Sequence, residues 1–204
     1  SLPLKRFDFV VVPRHDGVIP RKNTIEIQGV LNAIEFVEHK SLEKGLLLIG
    51  GESAHFEWDD ASVVKQIVEI IESDQHVAWT LTTSRRTPDS FLSLLKGLQM
   101  TVVPFEDTDK DWLQEQYKNA GRIWITPDSV SMVYESLSSG AVANVFSLLP
   151  KEKPSRVRVG LDQLIDSGTV QTFDAWKLHS MDDQAPQQFD ESARVAEVIL
   201  DSYT

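Results

Sequence analysis

The sequence has no cysteine among its 204 residues. A disulfide framework, a thiolate metal site and a cysteine nucleophile are therefore all excluded. The five histidines include no pair with the HExxH spacing of a zinc site, so we expect neither a metal ion nor a bound cofactor. A chain without disulfides fits a reducing compartment, and we expect a cytoplasmic location.

Long hydrophobic runs and an excess of positive charge are also missing. The longest unbroken apolar runs span only a few residues, so no segment is expected to cross a bilayer, although peripheral contact with a membrane stays open. The sequence has 20 lysines and arginines against 31 aspartates and glutamates, a net charge of −11. This balance argues against nucleic acid as a partner but permits a local basic pocket for a small anion.

What the sequence does contain is the composition of a globular domain, with 41% hydrophobic and 25% charged residues. Short apolar segments rich in β-branched residues alternate with segments of helical spacing. This pattern predicts an α/β fold, a Rossmann-like parallel sheet flanked by helices. The predicted strands are 7–12, 46–49, 77–82, 100–103, 122–125 and 142–146, and the predicted helices are 61–72, 88–98, 111–119, 129–139, 159–166 and 190–203.

Polar residues and glycines are expected to mark the ends of these helices. The long stretch between the first two predicted strands is interpreted as a loop and linker with one helix near 32–39. The expected markers are Asp59 or Asp60 at the start of the first helix, Gly121 at the end of the third, Gly140 at the end of the fourth and Gly168 at the end of the fifth.

The second predicted strand is followed by a pair of glycines. Ligands of open parallel sheets bind beyond the carboxyl ends of the strands, where helix N-termini point. Gly50 and Gly51 allow the backbone to turn tightly against such a ligand, and Ser53 and His55 follow closely. An ordinary turn explains the same residues, and neither a GxGxxG fingerprint nor a P-loop is present.

The third predicted strand is followed by hydroxyl groups around two adjacent arginines. Thr83, Ser84, Arg85 and Arg86 form this segment, and arginine forks together with hydroxyls suit phosphate oxygens. A polar loop whose arginines form surface salt bridges is the alternative. Because the chain as a whole is acidic, the double arginine favours anion binding.

The fifth predicted strand is followed by Asp128 and Ser129, whose side chains are expected to cap the next helix. Ser131, Glu135 and Ser138 lie on a polar face of that helix. Glu135 is about 10 Å from Asp128 along the helix axis, so a ligand with phosphates at the N-terminus would reach it with a sugar hydroxyl. A solvated glutamate is the alternative.

Two further segments follow strands. His15 and Asp16 come after the first strand, where an acid–base role is open to them. The segment 104–109 comes after the fourth strand and carries three carboxylates, which would repel a phosphate placed there.

Taken together, these loops resemble the mitochondrial-fission (elongated-mitochondria) family of bacteria and plants, whose members are also labelled predicted nucleoside-diphosphate-sugar epimerases. The resemblance extends in order over nearly the whole chain, and its TTSRRTP and DSVSM parts are the most specific. The segments that carry it are VVVPRHDGV, LLLIGGESAHFEWD, LTTSRRTP, ITPDSVSMVYESLSSG and FDESARVAEVI.

The resemblance implies a fold similar to that of GT-B glycosyltransferases, in which two Rossmann-like domains face each other across a cleft. This chain would be mainly the C-terminal half, with the nucleotide-binding domain at 45–204. Residues 1–44 would be the end of the N-terminal half and the linker, and the missing N-terminal half would be a partner.

By the same analogy, Gly50, Gly51 and the segment 128–131 would hold the diphosphate of a nucleotide sugar, and Glu135 would bind the ribose. Residues 83–86 would flank the nucleotide, and the segment 15–16 would supply a catalytic base near the cleft. The expected function is glycosyl transfer, with the nucleotide sugar as substrate and no cofactor. Epimerisation and a non-catalytic adaptor role are the alternatives, and the chain alone is expected to be inactive.

Overall fold

The computed structural model describes residues 6–17, 19, 21–152, 156–178 and 189–203. The strands are β1 (Val10–Pro13), β2 (Thr24–Ile27), β3 (Ser41–Leu48), β4 (Ala78–Thr82), β5 (Thr101–Val103), β6 (Ala120–Ile125), β7 (Val142–Val145) and β8 (Gln171–Thr172). The α-helices are α1 (Asp60–Ser73), α2 (Asp89–Leu94), α3 (Lys110–Asn119), α4 (Val130–Ser138), α5 (Arg156–Asp166), α6 (Phe173–Leu178) and α7 (Glu191–Asp201). None of the helices in the described ranges has both the length and the apolar character needed to span a membrane.

Strands β3 to β8 form one six-stranded sheet in the order β5-β4-β3-β6-β7-β8, and every neighbouring pair is parallel. From β3 the chain builds outward to β4 and β5 and then returns to add β6, β7 and β8 on the other side. The strand order therefore reverses between β3 and β6, and ligands of open parallel sheets bind at such a switch point. The predicted Rossmann-like parallel sheet flanked by helices is confirmed.

Helices cover both faces of this sheet, which explains why its strands are continuously apolar. Leu46 and Leu48 of β3 point to one face and pack with side chains of α3, α4 and α5. Leu47 of β3 and Trp124 of β6 point to the opposite face and pack with α1, α2 and α6. Alternate residues of one strand thus belong to two separate cores.

The linker between β2 and β3 is extended, so the helix expected near 32–39 is wrong. Two of its polar groups bond to the last residue of α4 and to the residue that follows it. The Asn32 side-chain amide donates to Ser138 Oγ at 3.0 Å, and the Val37 N–H donates to the Ser139 carbonyl at 3.1 Å. Ser138 is consequently buried beneath the linker instead of lying on a polar face.

The helix boundaries are partly as predicted. Asp59 Oδ1 accepts the Ala61 N–H at 3.1 Å, which confirms the cap of α1. Gly121 does not end α3, because that helix passes directly into β6 at Ala120. Gly121 instead lies inside β6, where a Cβ atom would collide with the backbone of Ser41 in β3.

Strands β1 and β2 form a separate two-stranded parallel sheet that packs against α7. Ile25 and Ile27 of β2 and Val195 of α7 make up its buried core. The Arg194 side chain also donates to the Glu26 carbonyl at 2.6 Å. The domain boundary after residue 44 stays a prediction, and β3 extends across it.

Gly140 after α4 and Gly168 after α5 have positive φ angles of 82° and 71°, which confirms both predicted helix ends. Their surroundings differ. A Cβ atom at Gly140 would lie 2.6 Å from the Val37 carbonyl oxygen, whereas one at Gly168 would have no atom within 4 Å. The end of α4 is therefore pressed against the linker, and the end of α5 is open.

We expect Gly140→Ala to lower the free energy of unfolding by about 2–4 kcal/mol, because a left-handed alanine is strained and its Cβ collides with the linker. Gly168→Ala is the matched control and should lose about 1 kcal/mol from backbone strain alone. Urea unfolding measures both values. Equal losses in the two variants would contradict the tight contact between α4 and the linker.

Candidate functional site

A cleft of about 670 Å³ opens at the carboxyl ends of β4 and β5, beside the switch point. Its walls are the loop after β4, the segment between β5 and α3, and the first turn of α4. The volume is in the range typical of small-molecule sites, about 300–1,000 Å³. The predicted site residues that line it are Thr83, Ser84, Arg85, Arg86 and Ser129.

The loop after β4 is fixed by its own hydroxyl groups. Ser84 Oγ donates to the Gly50 carbonyl at 2.5 Å, and Thr87 Oγ1 accepts the Ser84 N–H at 2.9 Å. Thr83 Oγ1 accepts the Phe105 N–H at 3.0 Å, which joins this loop to the segment after β5. The hydroxyls that were expected to contact phosphate are therefore used to hold the loop in shape.

Asp128 connects three loops at the switch point. Its side chain is completely buried, and its Oδ2 accepts the Gly51 N–H at 3.1 Å and lies 2.8 Å from an Arg86 nitrogen. The neighbouring Gly50 N–H donates to Thr126 Oγ1 at 2.7 Å. A Cβ atom at Gly50 would collide with the Asp128 carboxylate, so glycine is required there. Both amides expected to bind a diphosphate are bonded to side chains of the chain itself.

Burial raises the pKa of Asp128 above its ordinary value of 3.8, while the Thr126 hydroxyl, the Arg86 charge and the Gly51 N–H oppose that rise. The other carboxylate oxygen, Oδ1, has no hydrogen-bond partner in the part of the chain that the structure describes. Arg86 is thus the cation that compensates for the burial of the Asp128 carboxyl group.

The expected side-chain cap of α4 is wrong. Ser129 is the N-cap residue, but its side chain makes no capping hydrogen bond, and Asp128 points to the glycine turn instead. Helix N-termini carry unsatisfied N–H groups and a partial positive charge. Because Ser129 and Met132 line the cleft, this positive end of α4 lies at its wall.

The two adjacent arginines have different surroundings. Arg86 is paired with Asp128 and also donates to the Glu52 carbonyl at 3.1 Å. Arg85 has no carboxylate partner among the described residues, and its guanidinium lies 5.1 Å from the centroid of the Phe105 ring. Arg86 therefore holds the loops together, while Arg85 has its charge available for an anion in the cleft.

Glu135 lies between α4 and α3 rather than on a solvated face. Tyr117 Oη donates to Glu135 Oε2 at 2.9 Å. Burial raises the pKa of Glu135 above its ordinary value of 4.5, and this hydrogen bond opposes the rise. Burial, followed by the charge of Glu135, also raises the pKa of Tyr117. The cleft lining ends at Met132, so the ribose role of Glu135 stays a prediction.

Ser53, His55 and Ser131 do not line the cleft. Ser53 Oγ accepts the His55 N–H at 3.2 Å, so this pair shapes the turn after β3. Ser131 is exposed on α4. His15 and Asp16 belong to a short 3₁₀ turn after β1, beside α5, and their catalytic role stays a prediction. Within the described ranges, no group of three or more metal-ligating side chains is suitably clustered.

The sequence reasoning missed Phe105 and Met132, which line the cleft. The segment 104–109 was expected only to repel phosphate, yet it forms one wall. One of its carboxylates already accepts a hydrogen bond within the protein. Asp109 Oδ1 accepts the Trp112 N–H at 2.6 Å and caps α3. The position of the segment was foreseeable, since β5 lies next to β4 and parallel strands end at the same edge.

Comparison with known sequences places the chain near proteins named for mitochondrial fission. The profile of the family described as "Mitochondrial fission ELM1" matches residues 1–203. Among curated proteins, the uncharacterized protein RP120 of Rickettsia prowazekii (strain Madrid E) is 26% identical over 248 residues. That alignment covers 98% of this chain and 70% of RP120.

The solved structures that are similar to the chain include MurG and UGT2. MurG from Acinetobacter baumannii is 12% identical with a TM-score of 0.48, over 93% of this chain and 52% of the MurG chain. UGT2 from Phytolacca americana, solved with UDP-2-fluoro-glucose and pterostilbene, is 14% identical with a TM-score of 0.41, over 79% of this chain and 33% of that one. The chain thus spans about half of MurG and a third of UGT2.

The free energies of unfolding of two single-arginine variants test whether Arg86 and Arg85 have different roles. Arg86→Ala would leave Asp128 buried without its cation, so we expect the free energy of unfolding to fall by about 1–3 kcal/mol. Arg85→Ala is the matched control and should change it by less than about 0.5 kcal/mol. Urea unfolding at neutral pH measures both. A larger loss for Arg85→Ala would reverse the assignment.

Glu135 should make stability depend on pH. A carboxyl whose pKa is raised by folding contributes stability below its unfolded pKa, and this contribution is lost as pH rises through the folded value. We therefore expect the wild type to lose stability relative to Glu135→Gln as pH rises above about 4.5, the ordinary pKa of the glutamate side chain. Urea unfolding at several pH values measures this, with the exposed Glu72→Gln as a control for net charge. A difference that does not change with pH would contradict it.

Proposed function

The chain belongs to the mitochondrial fission ELM1 family, and on that premise we propose that its cleft binds a nucleoside-diphosphate sugar and that the reaction is sugar transfer. The observation that carries the proposal is a convergence of two anion-attracting features on one cleft beside the switch point. These features are Arg85, which has no carboxylate partner among the described residues, and the uncapped N-terminus of α4.

Both features suit a diphosphate. An arginine fork donates paired hydrogen bonds to phosphate oxygens, and a helix N-terminus presents N–H groups with a partial positive charge. Lys110 adds a third positive group to the lining. In a chain with a net charge of −11, such local positive groups are needed for an anion to approach.

The same groups would assist the chemistry of sugar transfer. The bond between the anomeric carbon and the diphosphate oxygen breaks, and its electron pair leaves with the diphosphate. Negative charge on that oxygen grows in the transition state, so Arg85 and the α4 N-terminus stabilise it more than the ground state. The acceptor forms the new bond to the anomeric carbon and loses a proton to a base, for which His15 and Asp16 are our candidates.

The glycine turn is not suited to the diphosphate. Gly50 and Gly51 have their amides bonded to Thr126 and Asp128, and a phosphate beside this buried carboxylate would be repelled. We therefore assign the diphosphate to the Arg85 side of the cleft. Gly50 and Gly51 contribute by accommodating the Asp128 side chain that holds the loops together.

Two other functions are alternatives to sugar transfer. Epimerisation of the nucleotide sugar would need both an acid and a base at the sugar ring. A non-catalytic adaptor would need only a surface for partners, and the family name favours this candidate as the second one. In either enzymatic case we propose that acceptor or sugar contacts come from a further domain, so that the chain alone binds nucleotide without turnover.

Thermal unfolding with uridine diphosphate and guanosine diphosphate tests the proposal. We expect at least one of them to stabilise the chain, by about 2.7 kcal/mol when present at 100 times its Kd. For a domain of this size that corresponds to a rise in Tm of roughly 5–10 °C. Arg85→Ala should abolish most of the rise, because it removes the cation that we assign to the diphosphate.

Lys44→Ala is the control, since it removes one exposed positive charge in the N-terminal half of β3, which does not line the cleft, and should keep the full rise in Tm. No stabilisation by either nucleotide at millimolar concentration would contradict nucleotide binding and favour the adaptor. An unchanged rise in Arg85→Ala would remove that arginine from the site.

A further inference from the structure

We propose that the inner end of the cleft is a slot for the heteroaromatic base of the nucleotide. The base would stack on the Phe105–Arg85 pair and form a hydrogen bond at its polar edge with the Thr82 hydroxyl. This inference rests on the proposed function and adds to it the chemical group that the cleft recognises.

The first observation is a buried hydroxyl without a partner. Thr82 is the last residue of β4 and is only 4% exposed. Its Oγ1 has no hydrogen-bond partner in the described parts of the chain, although buried polar groups are almost always bonded. Its neighbour Thr83 is bonded to the Phe105 N–H. An outside group that reaches Thr82 Oγ1 would therefore gain a hydrogen bond that the protein itself does not satisfy.

The second observation is the direction of this side chain. Thr82 is paired in register with Leu48, and residues paired in this way point to the same face of the sheet. Leu48 packs in the core on the side of α3 and α4, which also contacts Leu113 and Met132. Leu113 and Met132 line the cleft together with Thr82. Thr82 thus points to the face of the sheet on which the cleft opens.

The third observation is a stacking surface at the same end. The Arg85 guanidinium lies 5.1 Å from the centroid of the half-buried Phe105 ring. Nucleobases stack on aromatic side chains and on guanidinium planes alike. Leu113 and Met132 add apolar walls. This combination suits a flat ring with apolar faces and a polar edge, which neither a phosphate nor a sugar provides.

The position of the slot also fits the position that we assign to the diphosphate. Arg85 borders both the base slot and the proposed diphosphate site. A base stacked beside Arg85 would therefore have its phosphates near the α4 N-terminus, where Ser129 lines the cleft. A threonine hydroxyl both donates and accepts hydrogen bonds. Thr82 therefore recognises a polar base edge without distinguishing one base from another, and uridine and guanosine nucleotides should depend on it equally.

Calorimetric titration with uridine diphosphate, guanosine diphosphate and inorganic diphosphate tests the slot. We expect Thr82→Val to weaken each nucleotide that the wild type binds by roughly 3- to 10-fold, the effect of one lost hydrogen bond. Phe105→Leu should weaken them by about 5- to 30-fold through lost stacking. Both variants should keep the affinity for inorganic diphosphate within about 2-fold, because diphosphate does not enter the slot.

Thr80→Val is the matched control, since Thr80 lies on the same strand and the same face but does not line the cleft. It should leave all three affinities unchanged. Thr82→Val should also keep the wild-type Tm, because it removes no internal hydrogen bond, and this separates a lost contact with ligand from a damaged fold.

The outcomes distinguish the slot from the proposed function. If both variants weaken inorganic diphosphate as much as the nucleotides, or if neither weakens the nucleotides, the base slot is wrong and nucleotide binding stands. If the wild type binds inorganic diphosphate but neither nucleotide, the slot is wrong and only an anion site remains. If it binds none of the three, the proposed function itself is contradicted.

Discussion

The buried ion pair between Asp128 and Arg86 is the interaction on which the edge of the sheet beside the cleft depends. Through one carboxylate, the loops that follow β3, β4 and β6 are held at fixed distances from each other. Desolvating a carboxylate is costly, and it is tolerated only because a guanidinium, a hydroxyl and an amide N–H surround it. Removing any one of these groups would leave the buried carboxylate with fewer partners to offset its desolvation.

This arrangement changes how an RR pair in a sequence should be interpreted. Adjacent residues in a loop point in different directions, so one arginine reaches the buried carboxylate while the next lies over an aromatic ring at the cleft. The first gives the loop its shape and the second gives the cleft its charge. A rigid loop also lowers the entropy lost when a ligand binds, which favours tight binding at a small site.

The sheet was predictable because its strands are short apolar runs and its main helices have a clear period. The extended linker was not, because Asn32 and Val37 bond to α4, which is distant in sequence and overrides local helix propensity. The short elements β2, β8 and α6 offer too few residues for a periodic pattern. The strand-end rule located the site loops, but the direction of Asp128 and the burial of Glu135 depend on tertiary contacts that spacing does not encode.

The packing of α7 on β2 has a consequence for the order in which the molecule assembles. Its bonds to the first part of the chain join residues more than 160 positions apart, with the whole six-stranded sheet lying between them in the sequence. During synthesis the large sheet can therefore fold first. The apolar face of β2 stays uncovered until α7, the last helix in the sequence, has been synthesised. Contacts of such long sequence separation form slowly, so the packing of α7 on the β1–β2 sheet is expected to be a late step in folding.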